Sequence, residues 1–132
     1  MQAEFVPETL RQAIQAAQDK KAADLVLLDL HPAASFTDYF LLCTGASSRQ
    51  IQAIATAIEE QLSRMGLQPL HIEGAEFAEW MLLDYLDFVV HIFSERARAF
   101  YDLERLWRSA RRLPVPEQIP TTKPETRTRS ST

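Results

Sequence analysis

Hydrophobic positions along the chain change their period several times, and each change marks an element. Leu10, Ala13, Ile14 and Ala17 fall on one helical face, and Pro7 suits a first helical position, which predicts a helix to about Lys21. "DLVLLDL" (24–30) and "DYFLLCTG" (38–45) are short, nearly unbroken apolar runs, as in strands buried on both faces. Between them "HPAASFT" (31–37) is a loop broken by Pro32. Ile51, Ile54, Ala55, Ile58, Leu62 and Met65 then repeat at helical spacing. Ser47 and Gln50 form a capping box ahead of them, and Gly66 is placed to end the helix. A third strand is expected from about Gln68 to Ile72. "WMLLD" and "DFVVHIF" read as a hairpin turning at Tyr85–Leu86. In its second strand Phe88, Val90 and Ile92 face one way, and Val89, His91 and Phe93 the other, so the sheet needs cover on both sides. "RARAFYDLERLWRSARR" (96–112) continues as one or two helices, with Phe100, Leu103, Leu106 and Trp107 apolar.

The order α-β-β-α-β-β-β-α predicts one α/β layered domain over residues 1–113, with a mixed sheet of about five strands covered by helices. From Pro114 to Thr132, four prolines, five threonines and two serines in nineteen residues predict a disordered tail. A length of 132 residues suits one core. The N-terminus "MQAEFVPETL" lacks the basic-then-apolar pattern of a secretory signal, and no apolar run approaches the ~20 residues of a membrane span. With Cys43 as the one cysteine no internal disulfide can form, so a reducing cytoplasmic or equivalent organelle compartment is expected.

Charge divides the chain. Residues 1–107 carry 16 acids and 8 bases, whereas residues 108–132 carry 6 bases and 2 acids. An acidic body argues against broad binding to nucleic-acid backbone and favours a basic partner. The acids concentrate between Glu73 and Asp87, where five carboxylates and no Lys or Arg share a window with Phe77, Trp80 and Tyr85. Trp and Tyr are favoured interface anchors, so the window is a candidate acidic-aromatic docking patch, although Trp80 at a hairpin start is more often core.

Enzyme chemistry finds little support. "TGASSRQ" (44–50) is a glycine turn into a helix and could hold an anion on free backbone N–H groups, but it has neither a Walker lysine nor a second glycine. Asp84 and Asp87 are three apart and point to opposite faces of a strand, unlike a metal-binding Asp-x-Asp pair. Glu73, Glu76 and Glu79 also lack alternation. His31, His71, His91 and Cys43 have no close ligand spacing, and there is no Gly-x-Ser-x-Gly elbow. The alternative to a binding protein is a divergent nucleotidyltransferase using the 45–50 turn for phosphate.

Four segments together carry a specific resemblance. "TDYFLLCTGASSRQIQAIA" (37–55), "LQPLHIEG" (67–74), "EWMLLDYLDFVVHIF" (79–93) and "RAFYDLERLW" (98–107) resemble the Iojap family of ribosomal silencing factors, collinearly over roughly residues 5–107. The resemblance implies a nucleotidyltransferase-like α/β fold without enzymatic activity and without a cofactor. It further implies binding to the large ribosomal subunit at ribosomal protein number fourteen, which would block subunit joining and repress translation. It places the partner-binding surface on Trp80, Asp84 and Tyr85, with Asp87 beside them; Glu73 joins as a neighbour on physical grounds. A homodimer in the free state is compatible with it. "RSARR" (108–112) and the tail are candidates for a minor contact with ribosomal RNA, with solubility the favoured reading. The family commonly has glycine where this chain has Leu86, and leucine resists positive φ, so a turn of another type or position is expected.

Overall fold

The computed structural model describes residues 6–31, 36–74 and 79–116. Pro32, Glu76, Phe77 and the tail from residue 117 lie outside the described residues. Helix α1 spans Glu8–Asp19, with Pro7 at its N-cap rather than inside it. Strands β1 (Ala23–Asp29) and β2 (Tyr39–Thr44) follow. Helix α2 runs over Ser48–Arg64, and Gly66 at φ 82° carries the chain out of it. Three strands come next: β3 (His71–Glu73), β4 (Trp80–Asp84) and β5 (Phe88–Phe93). Short helices α3 (Glu95–Tyr101) and α4 (Leu103–Leu106) lead to β6 (Arg111–Leu113).

The six strands form one mixed sheet in the order β3-β4-β5-β2-β1-β6. Only β2 and β5 run parallel, with Leu41 opposite Val90; the other neighbours are antiparallel. Every residue of β2 and β5 is buried. Alternation then separates two cores. Leu41, Cys43, Val90 and Ile92 pack beneath α1 and α2 with Leu10, Ile14, Ile54 and Ile58. Phe40, Leu42, Val89 and Phe93 form the other layer, against Ala97, Leu103 and Trp107. Each large side chain so buried contributes about 1.5–3 kcal/mol.

The capping box forms in a modified way. Ser47 Oγ accepts from Gln50 N at 3.1 Å, while Gln50 Oε1 accepts from the N–H of Ala46, one residue before the cap, at 2.6 Å. Gln50 Nε2 also donates to the carbonyls of Lys20 and Lys21, at 3.0 and 3.1 Å, fastening the start of α2 to the end of α1. Side-chain capping thus does tertiary as well as local work.

The C-terminal region corrects the expected architecture. The sheet has six strands, not five, because Arg111–Leu113 leaves the expected helix and pairs antiparallel with β1. The element order becomes α-β-β-α-β-β-β-α-α-β. A three-residue edge strand with two arginines and one buried leucine has no apolar alternation to announce it, so "RSARR" reads as helix by continuity. Arg111 closes the edge by donating to Asp29 Oδ2 at 3.0 Å. Burial raises the pKa of Asp29, but hydrogen bonds from His31 and Arg111 outweigh it and hold the carboxyl below its ordinary value. Past β6, Val115 packs on the α1/α2 core and the Pro116 carbonyl accepts from Gln18 Nε2 at 2.7 Å. Residues 114–116, expected as the start of the tail, therefore touch the body. Among the described residues no helix is long and apolar enough to cross a membrane.

Ending the chain after Ala110 should destabilise it relative to ending it after Pro116. The shorter chain loses the burial of Leu113 and the Arg111–Asp29 pair, worth ~2 kcal/mol or more together. Thermal melts of the two would show a midpoint lower by several degrees for the shorter chain; equal midpoints would mean that β6 adds no stability.

Candidate functional site

Period-two alternation along β4 sends Trp80, Leu82 and Asp84 to one face of the sheet, and Met81 and Leu83 to the α1/α2 face. On β3, His71 lies opposite Asp84, and Glu73 opposite Leu82. These five side chains and Gly74 line an open groove of about 470 Å3 at the sheet's β3 edge. Gly74 is required there: at φ 107°, a Cβ would come within 2.9 Å of the Trp80 carbonyl. The Glu73 carboxylate hydrogen-bonds the His71 ring. The groove is therefore acidic at two points and apolar between them.

Trp80 forms its inner wall and is held on three sides. Its ring lies 5.2 Å from Phe93 in a stacked arrangement and 4.6 Å from Tyr101. Its indole N–H donates to His91 Nδ1 at 3.1 Å. Burial pushes the pKa of His91 down to about 4, so the ring is neutral near pH 7 and Nδ1 is free to accept. The proton then sits on Nε2, which is buried without a partner among the described residues. A half-buried, pre-set indole suits a docking surface, because little rotamer freedom remains to be lost on binding.

Of the five residues assigned to the surface from sequence, the groove gathers Glu73, Trp80 and Asp84. Tyr85 is elsewhere: it is 3% exposed, belongs to the α1/α2 core and stacks on Phe88 at 5.2 Å. Its hydroxyl is buried and unpartnered among the described residues, and burial raises its pKa to about 12. Tyr85 thus contributes packing beneath the hairpin and no exposed ring. Asp87 is exposed on the turn and does not line the groove. His71 and Leu82 were missed as groove residues. Alternation from Trp80 would have found Leu82, whereas His71 depends on the β3–β4 register.

The turn keeps its position despite Leu86. Tyr85 N donates to Phe88 O at 2.9 Å, and Asp87 N donates back to Tyr85 O at 2.9 Å. Leu86 between them stands at φ 75°, which makes a γ-turn of the rare, strained kind. The expectation that leucine avoids positive φ here is corrected: Leu86 accepts it because its neighbours impose it. Asp84 Oδ1 accepts from Leu86 N at 2.9 Å, Thr37 Oγ1 donates to Leu86 O at 2.8 Å, and Asp38 N donates to Asp87 O at 3.0 Å.

The phosphate-binding alternative meets a partly occupied turn. In the 45–50 turn the N–H groups of Ala46 and Gln50 are already taken by Gln50 Oε1 and Ser47 Oγ. A Cβ at Gly45 would meet Ile51 Cγ1 at 2.8 Å, so that glycine serves close packing of α2. Among the described residues no group of three His, Cys, Asp or Glu could hold a metal. His31 pairs with Asp29 and Asp38, His71 with Glu73, and His91 with Trp80. Cys43 is buried, its thiol pushed up to about 12.

Comparison with known proteins follows this geometry. The profile of the family described as "Ribosomal silencing factor during starvation" matches residues 3–132. The chain is 43% identical over 101 residues to the Ribosomal silencing factor RsfS of Bacillus subtilis, covering 76% of this chain and 86% of that protein. A mouse protein named Mitochondrial assembly of ribosomal large subunit protein 1 is 25% identical over 97 residues, 71% of this chain and 42% of its own length. A crystal structure of a Chromobacterium violaceum protein superposes with a TM-score of 0.75 at 35% identity, over 79% of this chain and 87% of that one.

Two expectations follow from this geometry. Leu86→Gly should raise stability by up to about 1 kcal/mol, since relief of the left-handed backbone exceeds glycine's entropy cost and the leucine is 60% exposed. Urea unfolding checks it; a loss instead would mean that the leucine side chain is needed. His91 has its pKa depressed from 6.5 to about 4, so its contribution is present above pH 6.5 and is lost as pH falls toward 4, by ~3 kcal/mol in all. The unfolding free energy of His91→Gln should accordingly fall less than that of the parent between those limits, and parallel losses would refute the assignment.

Proposed function

Since the chain belongs to the ribosomal silencing factor family, we propose that it binds the large ribosomal subunit at ribosomal protein number fourteen and sterically blocks subunit joining, repressing translation without turnover. The observation that carries the docking surface is the groove in which Glu73, Trp80 and Asp84 converge at the open edge of the sheet. Carboxylates flanking a fixed indole suit a basic protein patch: charge sets encounter and register, and the ring supplies a desolvated contact. Asp87 extends the acidic rim along the turn, and Tyr85 supports that turn from the core. The mouse relative, named for assembly of a large subunit, supports the choice of subunit. A nucleotidyltransferase-like fold, a cytoplasmic location and a free homodimer belong to the same proposal.

Sedimentation with isolated large and small subunits tests it. The chain should travel with the large subunit, and absence from both would overturn the reading. Asp84→Asn retains the oxygen that holds Leu86 N and removes only charge, so unfolding should change by less than about 0.5 kcal/mol. Together with Glu73→Gln it should weaken binding at about 0.05 M salt, mainly through a slower on-rate, and the deficit should shrink near 0.5 M as screening removes the parent's electrostatic advantage. Trp80→Ala should lose about 2 kcal/mol or more of binding, roughly thirtyfold in affinity. It will also unfold more easily, because it leaves a gap beside Phe93 and Tyr101 and an unpaired His91 Nδ1. Binding is therefore read per folded molecule; normal affinity in that fraction would remove Trp80 from the interface.

A further inference from the structure

The α3–α4 corner has features that the groove does not explain. Asp102 at φ 50° breaks the helix, and Arg98 fixes the bend by forking onto both carboxylate oxygens of Glu104, at 3.0 and 3.1 Å, while its other nitrogen donates to Thr44 Oγ1 at 2.8 Å. The bend turns Leu103 and Trp107 inward onto the Phe40 layer. It leaves Phe100 78% exposed, Leu106 70% and Tyr101 48%. Three large apolar side chains displayed together on a rigid support mark a contact surface. They line a hollow of about 570 Å3 with Arg105, Arg108 and the acid Asp102. Neither Arg105 nor Arg108 has an ion-pair partner among the described residues, unlike Arg96, Arg98 and Arg111. Residues 94–112 hold six arginines against three acids, within an otherwise acidic chain.

We propose that this corner is a second contact surface, for unpaired RNA, with bases stacking on Phe100 and Tyr101 and phosphates paired by Arg105 and Arg108. Flat rings offered beside unpaired guanidinium groups match the way single-stranded nucleic acid is held, by stacking platforms along a basic track. Phe100 and Tyr101 present perpendicular planes 5.0 Å apart, so one ring is available to a base while the other borders it. The two surfaces are continuous, because Tyr101 packs on Trp80, the wall of the acidic groove. The inference deepens the ribosomal reading and rests on it for the source of the RNA: a basic protein in the groove and RNA at the corner would be adjacent on one subunit. It assigns opposite charge preferences to neighbouring halves of one face.

The test uses the full chain and a fluorescein-labelled mixed-sequence RNA of about twelve nucleotides, followed by anisotropy at about 50 mM salt. The chain should bind it, and log K should fall with log salt by about 0.7 for each phosphate engaged. Phe100→Ala should lower the affinity about tenfold. The double change Arg105→Gln with Arg108→Gln should lower it too and flatten the salt slope by about 1.4. Asp84→Asn, in the groove, should leave RNA binding unchanged while weakening large-subunit sedimentation. No RNA binding, or binding that both corner variants retain, would overturn the proposal. Tighter binding to a poly-glutamate peptide, lost in the same variants, would assign the corner to an acidic protein and also overturn it. RNA binding that the corner variants abolish, in a chain that sediments with neither subunit, would uphold the RNA surface and refute the ribosomal reading instead.

Discussion

The parallel pairing of β2 with β5 is the constraint on which the rest depends. Both strands are buried along their whole length, so apolar side chains leave both faces of the sheet at its centre. Such a pair is stable only when each face is covered. Helices α1 and α2, of 12 and 17 residues, cover one face and share a single core with it. On the other face α3 and α4 have only 7 and 4 residues. They reach Phe40, Val89 and Phe93 at the centre and stop there. Among the described residues the β3–β4 edge on that side is left open, and the groove is this uncovered remainder.

Much of this was legible in residue order, for identifiable reasons. The central strands announced themselves as unbroken apolar runs because two-sided burial requires them. Helix α2 was legible in its spacing and in Ser47 and Gln50, whose cap forms although Gln50 reaches Ala46 instead of the cap residue itself. Strand β6 was not, since its stability comes from partners in β1 and from a cross-strand ion pair rather than from its own pattern. The residues proposed for docking divided similarly. Trp80 and Asp84 share a face by alternation, and the same alternation sends Tyr85 to the opposite side, so placing all three on one surface overrode a rule that was available. Glu73 joined them only through the β3–β4 register, which no local pattern specifies.

Electrostatics refine the face that remains open. Glu73 and Asp84 border the groove, while Arg105 and Arg108 border the neighbouring hollow, and the contact between Trp80 and Tyr101 divides them. The net charge of -4 averages over this contrast. Steering depends on the local field, which within a Debye length of about 8–10 Å distinguishes the two halves. An assembly in which basic protein lies beside nucleic acid matches that division better than a partner of uniform charge.

Asp84 links the groove to the fold. One of its carboxylate oxygens holds the N–H of Leu86 and so helps impose the positive φ there, while the side chain also lines the groove. A left-handed leucine costs ~1–2 kcal/mol, and it persists because Asp84, Thr37 and Asp38 together over-determine the turn. Asp38 carries that restraint further, since it also meets His31, whose other ring nitrogen bonds Asp29, the partner of Arg111 on β6. The hairpin end and the β6 edge are thereby tied by one chain of hydrogen bonds and side-chain ion pairs. A cation arriving at Asp84 would draw on the same carboxylate that restrains Leu86. If the groove is the docking surface, binding and hairpin geometry would be coupled through that single side chain, because the acid, unlike the tryptophan, bonds the turn directly.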